Sequence, residues 1–342
     1  MKTGVLLLNL GTPDDPGPAA VGRYLREFLM DPYVIDVPAP LRWFLVHVLI
    51  APRRSRVSSA AYRKIWTERG SPLKFHTLDL VRELRRHLGE EFSVRAAMRY
   101  RNPSIRDALA GFRDEGADEI RVLPLYPQYA WASSRSSEEE VSRVARKLGL
   151  KARLRFVLPF YRDPGFIAAF RERIETTLRE REVDHLLFSY HGLPERQVRN
   201  ASPACGCGAD GDRCARAIRP ENADACYRAH CYETSRLLAS ALALGADRWS
   251  VAFQSRLGRT KWIEPYTDVV LNELADRGVK NLAIACPAFT ADCLETLEEI
   301  GLRAHEQFLT RGGRSLVLVP SLNSEPAWVR ALGGLVNSDR FR

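Results

Sequence analysis

The chain has 342 residues, of which 45% are hydrophobic and 27% are charged. This usage is typical of folded globular proteins and excludes wholesale disorder, and the length predicts two domains. The 51 Lys and Arg residues against 42 Asp and Glu residues leave a net charge of +9. Because the basic residues are scattered and form no nucleic-acid motif, nucleic acid is not an expected partner.

The compartment we expect is the cytoplasm, with peripheral membrane association left open. The N-terminal residues lead directly into a strand-like run and lack the apolar core and cleavage site of a signal peptide. No uncharged apolar run reaches the length of about 18 residues that a spanning helix requires. Nothing in the sequence predicts an oligomeric state.

Short apolar runs alternate with stretches of helical period along the chain. The predicted strands are Gly4–Leu10, Phe92–Met98, Ile120–Leu125, Leu154–Leu158, His185–Tyr190, Trp249–Gln254, Leu282–Cys286 and Ser315–Val319. The predicted helices include Leu78–Leu88, Glu138–Leu148, Gly165–Arg181, Tyr232–Ala243 and Asp268–Arg277. This alternation predicts an α/β fold with parallel sheets that are covered on both faces.

The predicted domains are residues 1–160 and 161–325, with a final helix and tail, 326–342, that packs back on the first domain. In the first domain, the segment Pro38–Pro52 is apolar and aromatic and is followed by Arg53, Arg54 and Arg56. It suits an interfacial helix or the lip of an apolar pocket, and an ordinary buried helix is an equal alternative.

Polar and aromatic residues follow several predicted strands, at the edge where open α/β sheets bind ligands. His191 follows a strand directly, where an imidazole can act as a base or a metal ligand. Asp292 and Glu295 have the spacing of a capping box, and Glu295, Glu299 and Arg303 are predicted to share one stripe of the helix that follows. The alternatives are a structural histidine and a solvated acidic helix face.

A second group of strand-end residues suits a flat, apolar ligand that bears carboxylates. It comprises Arg99, Tyr100, Gln254, Ser255, Arg256 and Trp262, in which arginine would pair with carboxylates and the aromatic rings would contact the flat face.

Five motifs in order closely resemble the ferrochelatase family in its proteobacterial form. They are Asn9-Leu10-Gly11-Thr12-Pro13, Leu29-Met30-Asp31-Pro32, Ser189-Tyr190-His191-Gly192-Leu193-Pro194, Phe253-Gln254-Ser255-Arg256-Leu257-Gly258, and Cys286-Pro287 followed by Asp292-Cys293-Leu294-Glu295-Thr296-Leu297-Glu298-Glu299. The resemblance runs from about Lys2 to Leu335 and is interrupted around Ser202–Cys226.

The resemblance implies two Rossmann-like domains with a porphyrin cleft between them, the chelatase fold. It implies insertion of ferrous iron into protoporphyrin IX to give protohaem, with His191 and Glu295 as catalytic residues that also bind the iron. The substrate-binding residues that it implies are Leu10, Arg99, Tyr100, Ser255 and Trp262. Coproporphyrin ferrochelatase, cobalt chelatase, a non-catalytic haem or porphyrin carrier and an iron–sulfur sensor on the same fold are the alternatives.

Five of the seven cysteines lie in a Cys-rich insertion, residues 202–231. Without an export signal, such a cluster favours metal over disulfides. Four thiolates can hold zinc or an iron–sulfur cluster, and paired Cys-x₂-Cys spacings typical of zinc ribbons are absent. Since some ferrochelatases carry a 2Fe-2S cluster, we expect one here on Cys205, Cys207, Cys214 and Cys226, with Cys231 as the alternative ligand.

Overall fold

A computed structural model describes residues 2–205, 217–256, 258 and 260–342. Its described residues form two four-stranded sheets in which every paired neighbour is parallel. The predicted α/β class is therefore confirmed. The chain divides into two compact units, one formed by the residues up to Leu125 with Trp131–Leu158 and Leu332–Arg342, the other by Tyr126–Ala130 and Pro159–Ala331. The domain limits predicted at residues 160 and 325 remain predictions.

The first unit is built on a sheet with strand order β2-β1-β3-β4. Its strands are β1 (Thr3–Gly11), β2 (Phe92–Tyr100), β3 (Glu119–Pro124) and β4 (Arg153–Phe156). Its helices are α1 (Pro18–Leu29), α2 (Ala39–Phe44), α3 (Ala51–Ile65), α4 (Pro72–Leu88), α5 (Ile105–Asp114) and α6 (Ser136–Lys147), with π-helical turns at Leu45–Ile50 and Trp131–Arg135.

The core of the first unit lies where α5 and α6 cover one face of this sheet. Leu6, Leu109 and Val122 belong to it and are fully buried. A Cβ on Gly4 would lie 2.8 Å from the ring of Phe112, so the absence of a side chain at this position lets α5 approach the central strand.

The second unit is built on a sheet with the equivalent order β6-β5-β7-β8. Its strands are β5 (His185–His191), β6 (Trp249–Gln254), β7 (Asn281–Ala285) and β8 (Ser315–Leu318). Its helices are α7 (Pro164–Leu178), α8 (Glu195–Ala201), α9 (Tyr227–Ala241), α10 (Thr267–Asp276) and α11 (His305–Thr310), with a 3₁₀ turn at Pro203–Cys205 and a π-helix at Glu295–Ala304. The division between the units falls within α12 (Pro326–Val336).

All eight predicted strands are confirmed, with ends that shift by at most two residues. All five predicted helices begin earlier than predicted, three of them by one or two residues and two by five or six. The helix predicted from Leu78 begins at Pro72, since proline suits the first turn, and the helix predicted from Tyr232 begins at Tyr227. The buried-helix alternative for Pro38–Pro52 is wrong, because large apolar side chains of this segment are exposed: Leu41 (48%), Trp43 (54%), Phe44 (48%) and Val48 (47%).

The helix that follows Asp292 differs in type from the one expected, and the stripe predicted for Glu295, Glu299 and Arg303 stays a prediction. The segment is π-helical, and Arg303 pairs at 2.8 Å with Glu298, five residues earlier, rather than with Glu299. A π-helix has i→i+5 hydrogen bonds, so it brings residues five apart together. Such wide turns are frequent at functional sites.

Candidate active site

His191 lies at the carboxyl end of the central strand β5 in the second unit, and its side chain is half-buried. Its Nδ1 is 2.6 Å from the main-chain oxygen of Gly192. A carbonyl oxygen only accepts, so Nδ1 is the donor, and in the neutral imidazole the lone pair is then on Nε2. Among the described residues, no group hydrogen-bonds to that Nε2. The imidazole is therefore arranged to accept a proton or bind a cation.

Two aromatic rings flank this imidazole. The ring centroids of Trp262 and Phe289 each lie 6.4 Å from that of His191, at tilted angles. Trp262 is held by a β-bridge to Pro194, just after the histidine motif. Both aromatic residues are half-buried, so they combine an apolar surface with access from outside.

Gly192 permits a close approach of β5 and β6. Its N–H donates to the oxygen of Gln254 at 2.8 Å, and a Cβ at this position would lie 2.8 Å from that same oxygen and 3.2 Å from the ring of Trp262. Any larger residue would push the turn after His191 away from β6.

Gln254 connects the two predicted catalytic residues. It stands opposite His191 in the register of β5 and β6, and its Nε2 donates to the main-chain oxygen of Glu295 at 2.9 Å. Its Oε1 accepts from Ser189 at 2.7 Å. The structure thus brings His191 and Glu295 to one edge of the second sheet. The sequence motif contains Gln254 but did not predict that it links His191 to Glu295. A glutamine that ends a buried strand is nevertheless a recognisable candidate for such a contact.

Ser255 has a left-handed backbone with φ of 67°, which is uncommon outside glycine. Glu299 holds it there, because one carboxylate oxygen accepts the Ser255 N–H at 2.9 Å and the other accepts the Ser255 hydroxyl at 2.5 Å. Glu299 is a second residue whose positioning contact the sequence did not reveal.

Buried polar contacts fix the turn before Glu295. The carboxylate of Asp292 accepts from Thr296, from the N–H of Ser321 at 3.1 Å and from the side chain of Asn323 at 2.8 Å. Burial raises the pKa of the Cys293 thiol well above its usual range, and the Glu295 carboxylate beside it adds to this effect. Cys293 therefore stays a protonated thiol.

In the first unit, Arg99 and Tyr100 are bound to a buried carboxylate. Arg99 Nη2 lies 2.6 Å and the Tyr100 hydroxyl 2.8 Å from Asp31 Oδ2, and Ser136 donates to that same oxygen at 2.5 Å. Leu10 is half-buried, and its N–H donates to the side chain of the preceding Asn9. The substrate-binding roles of Leu10, Arg99 and Tyr100 remain predictions.

Two of the predicted cluster ligands lie in the described part of the chain. Cys205 and Cys226 are buried, and their sulfur atoms are 3.6 Å apart. Cys207 and Cys214 lie outside the described residues. Within residues 2–205, 217–256, 258 and 260–342, there is no group of three or more His, Cys, Asp or Glu side chains suited to a metal ion.

The ferrochelatase family model matches residues 2–340. A ferrochelatase from Legionella pneumophila (strain Paris) is 44% identical over 337 residues, which cover 98% of this chain and 99% of that protein. A ferrochelatase from Coxiella burnetii (strain Dugway 5J108-111) is 46% identical over 332 residues, which cover 97% and 92% respectively.

Solved structures show the same fold at low sequence identity. SirB from Bacillus subtilis with Fe3+ is similar to this chain with a TM-score of 0.53 and 14% identity, over 98% of this chain and 94% of that one. The sirohydrochlorin chelatase SirB from Bacillus subtilis subspecies spizizenii, in complex with cobalt, gives a TM-score of 0.54 and 12% identity over the same shares. The predicted chelatase fold and the resemblance carried by the five motifs are confirmed. The chain belongs to the ferrochelatase family.

Proposed function

We propose that the protein inserts ferrous iron into protoporphyrin IX, giving protohaem and two protons. Family membership over nearly the whole chain supports this reaction. The structural observation that carries it is the imidazole of His191, with Nδ1 bonded to Gly192 and Nε2 available, set beside the rings of Trp262 and Phe289.

Metalation must remove two pyrrole protons and present the nitrogen lone pairs to the incoming cation. Those lone pairs lie in the plane of a flat macrocycle, so a site that favours a bent ring exposes them. In this proposal, Nε2 of His191 accepts the two pyrrole protons one at a time and passes each to solvent before the next, and Glu295 assists. Both residues bind ferrous iron transiently, since imidazole and carboxylate accept this ion and must also release it.

The remaining predicted site residues would hold the porphyrin. Trp262 offers a flat apolar surface to the macrocycle, and Ser255 offers a hydroxyl near the same strand end. Leu10, Arg99 and Tyr100 are proposed as further porphyrin contacts, on the family resemblance.

The reaction is tested by anaerobic incubation of the purified protein with ferrous iron and protoporphyrin IX. We expect one protohaem and two protons for each iron consumed, followed by absorbance and by a pH indicator in weak buffer. Parallel reactions with coproporphyrin III and with cobalt test the alternative substrates. Tight porphyrin binding without metalation by any of these would contradict the proposal and favour a carrier.

We also propose a 2Fe-2S cluster on Cys205, Cys207, Cys214 and Cys226, with Cys231 as the alternative ligand. The 3.6 Å between the sulfurs of Cys205 and Cys226 supports a shared metal. A disulfide would bring them to about 2.05 Å. Two thiolates on one tetrahedral metal, each about 2.3 Å from it, stand about 3.8 Å apart. This donor set fits either iron or zinc, and an iron–sulfur cluster would supply a one-electron redox group or a brace.

The cluster is tested by the visible spectrum and by iron and sulfide analysis of protein purified without oxygen. We expect two irons and two sulfides for each chain, and we expect Cys226→Ser to lose the visible absorption while Cys231→Ser keeps it. A colourless protein with stoichiometric zinc would contradict the cluster. Loss of absorption in Cys231→Ser alone would instead assign the fourth ligand to Cys231.

Finally, we propose peripheral contact with anionic lipid through the exposed face of Leu41, Trp43, Phe44 and Val48, beside Arg53 and Arg54. No helix in the described residues is long and apolar enough to cross a membrane. Co-sedimentation with phosphatidylglycerol vesicles tests the contact. We expect binding that falls in Trp43→Ser/Phe44→Ser and persists in Leu302→Ser, a change at an exposed apolar residue elsewhere. Equal binding of both variants would contradict it.

A further inference from the structure

Tyr227 contacts the site histidine from its main-chain side. This buried residue is the first of α9, and its hydroxyl donates to the main-chain oxygen of His191 at 2.8 Å. A main-chain oxygen only accepts, so the phenol is the donor in this contact.

With this hydrogen bond, both polar atoms of one peptide group have hydrogen-bond partners. The group that joins His191 to Gly192 is held at its N–H by the oxygen of Gln254, at 2.8 Å. Its oxygen has no strand partner, because β7 pairs with β5 only as far as Phe188. The Tyr227 hydroxyl supplies the hydrogen-bond donor that strand β7 does not provide at this position. An unpaired oxygen at this depth would cost free energy, so the contact has a structural reason to form.

The orientation of this peptide group affects the orientation of the imidazole through one further contact. The next main-chain oxygen, that of Gly192, accepts the hydrogen bond from His191 Nδ1 at 2.6 Å. If this peptide group rotated, Gly192 would move with it. The Gly192 oxygen, which accepts from Nδ1 and sets the orientation of the His191 ring, would then move too. Tyr227 thus acts on Nε2 through the main chain, without contacting the imidazole edge that meets substrate.

The start of α9 is itself held firmly. His230, one turn along the helix, accepts the N–H of Tyr129 at Nδ1 at 3.2 Å, and its Nε2 lies 2.8 Å from the oxygen of Ala223. Its ring stacks on Tyr161 with 3.9 Å between centroids. Tyr227 therefore projects from a helix turn that is fixed on several sides.

We infer that Tyr227 is a positioning residue for metalation, which orients the His191 imidazole by fixing the peptide group between His191 and Gly192. The inference rests on the proposed chelatase function. It predicts that the phenol oxygen matters for the rate of the chemical step and has little effect on porphyrin binding, since Tyr227 acts through the histidine.

The test compares two tyrosine-to-phenylalanine variants, each of which removes one buried hydroxyl and keeps the ring. Tyr227→Phe loses the bond to His191, whereas the control Tyr190→Phe loses a bond to Ser235 of the same 2.8 Å length. In Tyr227→Phe we expect kcat to fall roughly tenfold with porphyrin KM changed by less than about twofold. In Tyr190→Phe we expect kcat to stay within about twofold of the unchanged protein at a comparable loss of melting temperature.

Hydrogen exchange of the Gly192 amide provides a second measurement that needs no turnover. We expect faster exchange in Tyr227→Phe and unchanged exchange in Tyr190→Phe, because only the former releases that peptide group. Unchanged kcat and exchange in Tyr227→Phe, or an equal fall of kcat in both variants, would overturn the positioning role. Absence of metalation by the unchanged protein would instead defeat the proposed function, and the exchange comparison would still decide the contact.

Discussion

Strand β5 has a histidine at each end, and the two differ in their surroundings. His185, at the amino end, is buried, with Nε2 2.9 Å from the Ser250 hydroxyl and a second hydrogen bond to the main chain of Asp247. His191, at the carboxyl end, is half-buried, and its Nε2 has no hydrogen-bond partner in the part of the chain that the structure describes. Residue type and strand are the same, so the end of the strand decides how much of the imidazole is enclosed by the protein.

This difference follows from parallel sheet geometry. Turns at the carboxyl ends of the strands leave space in which polar side chains meet ligands. His185, at the amino end of β5, is buried instead. The contrast predicts that changes to groups that contact His191 or the turn after it reduce activity more than stability, and that changes at His185 do the reverse.

Apart from replacement of His191 itself, the largest effect on activity is expected from Gly192→Ala. The added Cβ would lie 2.8 Å from the Gln254 oxygen, so β6 or the turn must move. We expect metalation to fall at least tenfold and the free energy of unfolding to fall by about 1–3 kcal/mol, as in overpacked sites. Steady-state kinetics measure the rate of metalation, and urea unfolding measures the free energy of unfolding. Gly334→Ala is the matched control, because a Cβ there meets nothing within 4 Å. Wild-type kinetics in Gly192→Ala would contradict the close approach.

His185→Ala is expected to lower the free energy of unfolding by about 2 kcal/mol, because it removes the hydrogen bond to the half-buried Ser250 hydroxyl and the packed volume of a buried ring. We expect kcat at 25 °C to stay close to that of the unchanged protein. Denaturant unfolding and kinetics on the same preparation measure the two quantities. A large fall in kcat of His185→Ala with an unchanged free energy of unfolding would contradict the difference between the two strand ends.

The stability of the protein should also depend on pH through His185. Burial, with Arg277 nearby, holds the pKa of His185 below its usual value. The unfolded chain then takes up a proton that the folded protein excludes, so stability is complete above about pH 6.5 and falls as the pH drops toward the folded pKa. The slope from one group is at most about 1.4 kcal/mol per pH unit. Urea unfolding at several pH values should show a shallower slope in His185→Gln than in the unchanged protein, and equal slopes would refute the assignment.

The smallest effect is expected at Ser255. Replacement by alanine loses the hydroxyl bond to Glu299, and we expect a cost of about 1 kcal/mol. Replacement by glycine loses that same bond but relieves the left-handed backbone, so Ser255→Gly should be the more stable of the two variants by about 1 kcal/mol. Thermal unfolding of the pair measures this difference, and equal stability would mean that the strain is absent.

Much of the fold could be predicted because strands buried on both faces leave continuous apolar runs, as in Thr3–Gly11 and His185–His191. The π-helix at Glu295–Ala304 could not be predicted, since the width of a helical turn depends on packing rather than on the local sequence pattern. His191 and Glu295 were recognisable from their motifs.

The contacts that hold the site were not predictable. Tyr227 lies 36 positions from His191, and Glu299 lies 44 positions from Ser255. Such pairs depend on how the strands and helices are assembled, which the residue spacing alone does not encode.

The most direct measurement of the central claim is single-turnover metalation by His191→Ala with protoporphyrin IX already bound, under anaerobic conditions. His305→Ala, a change at another half-buried histidine of the second unit, is the control. We predict that His191→Ala loses metalation by a factor of roughly 100 or more while porphyrin affinity changes by less than about threefold, and that His305→Ala keeps its rate. Retained metalation in His191→Ala would contradict the assignment of His191 as the proton acceptor.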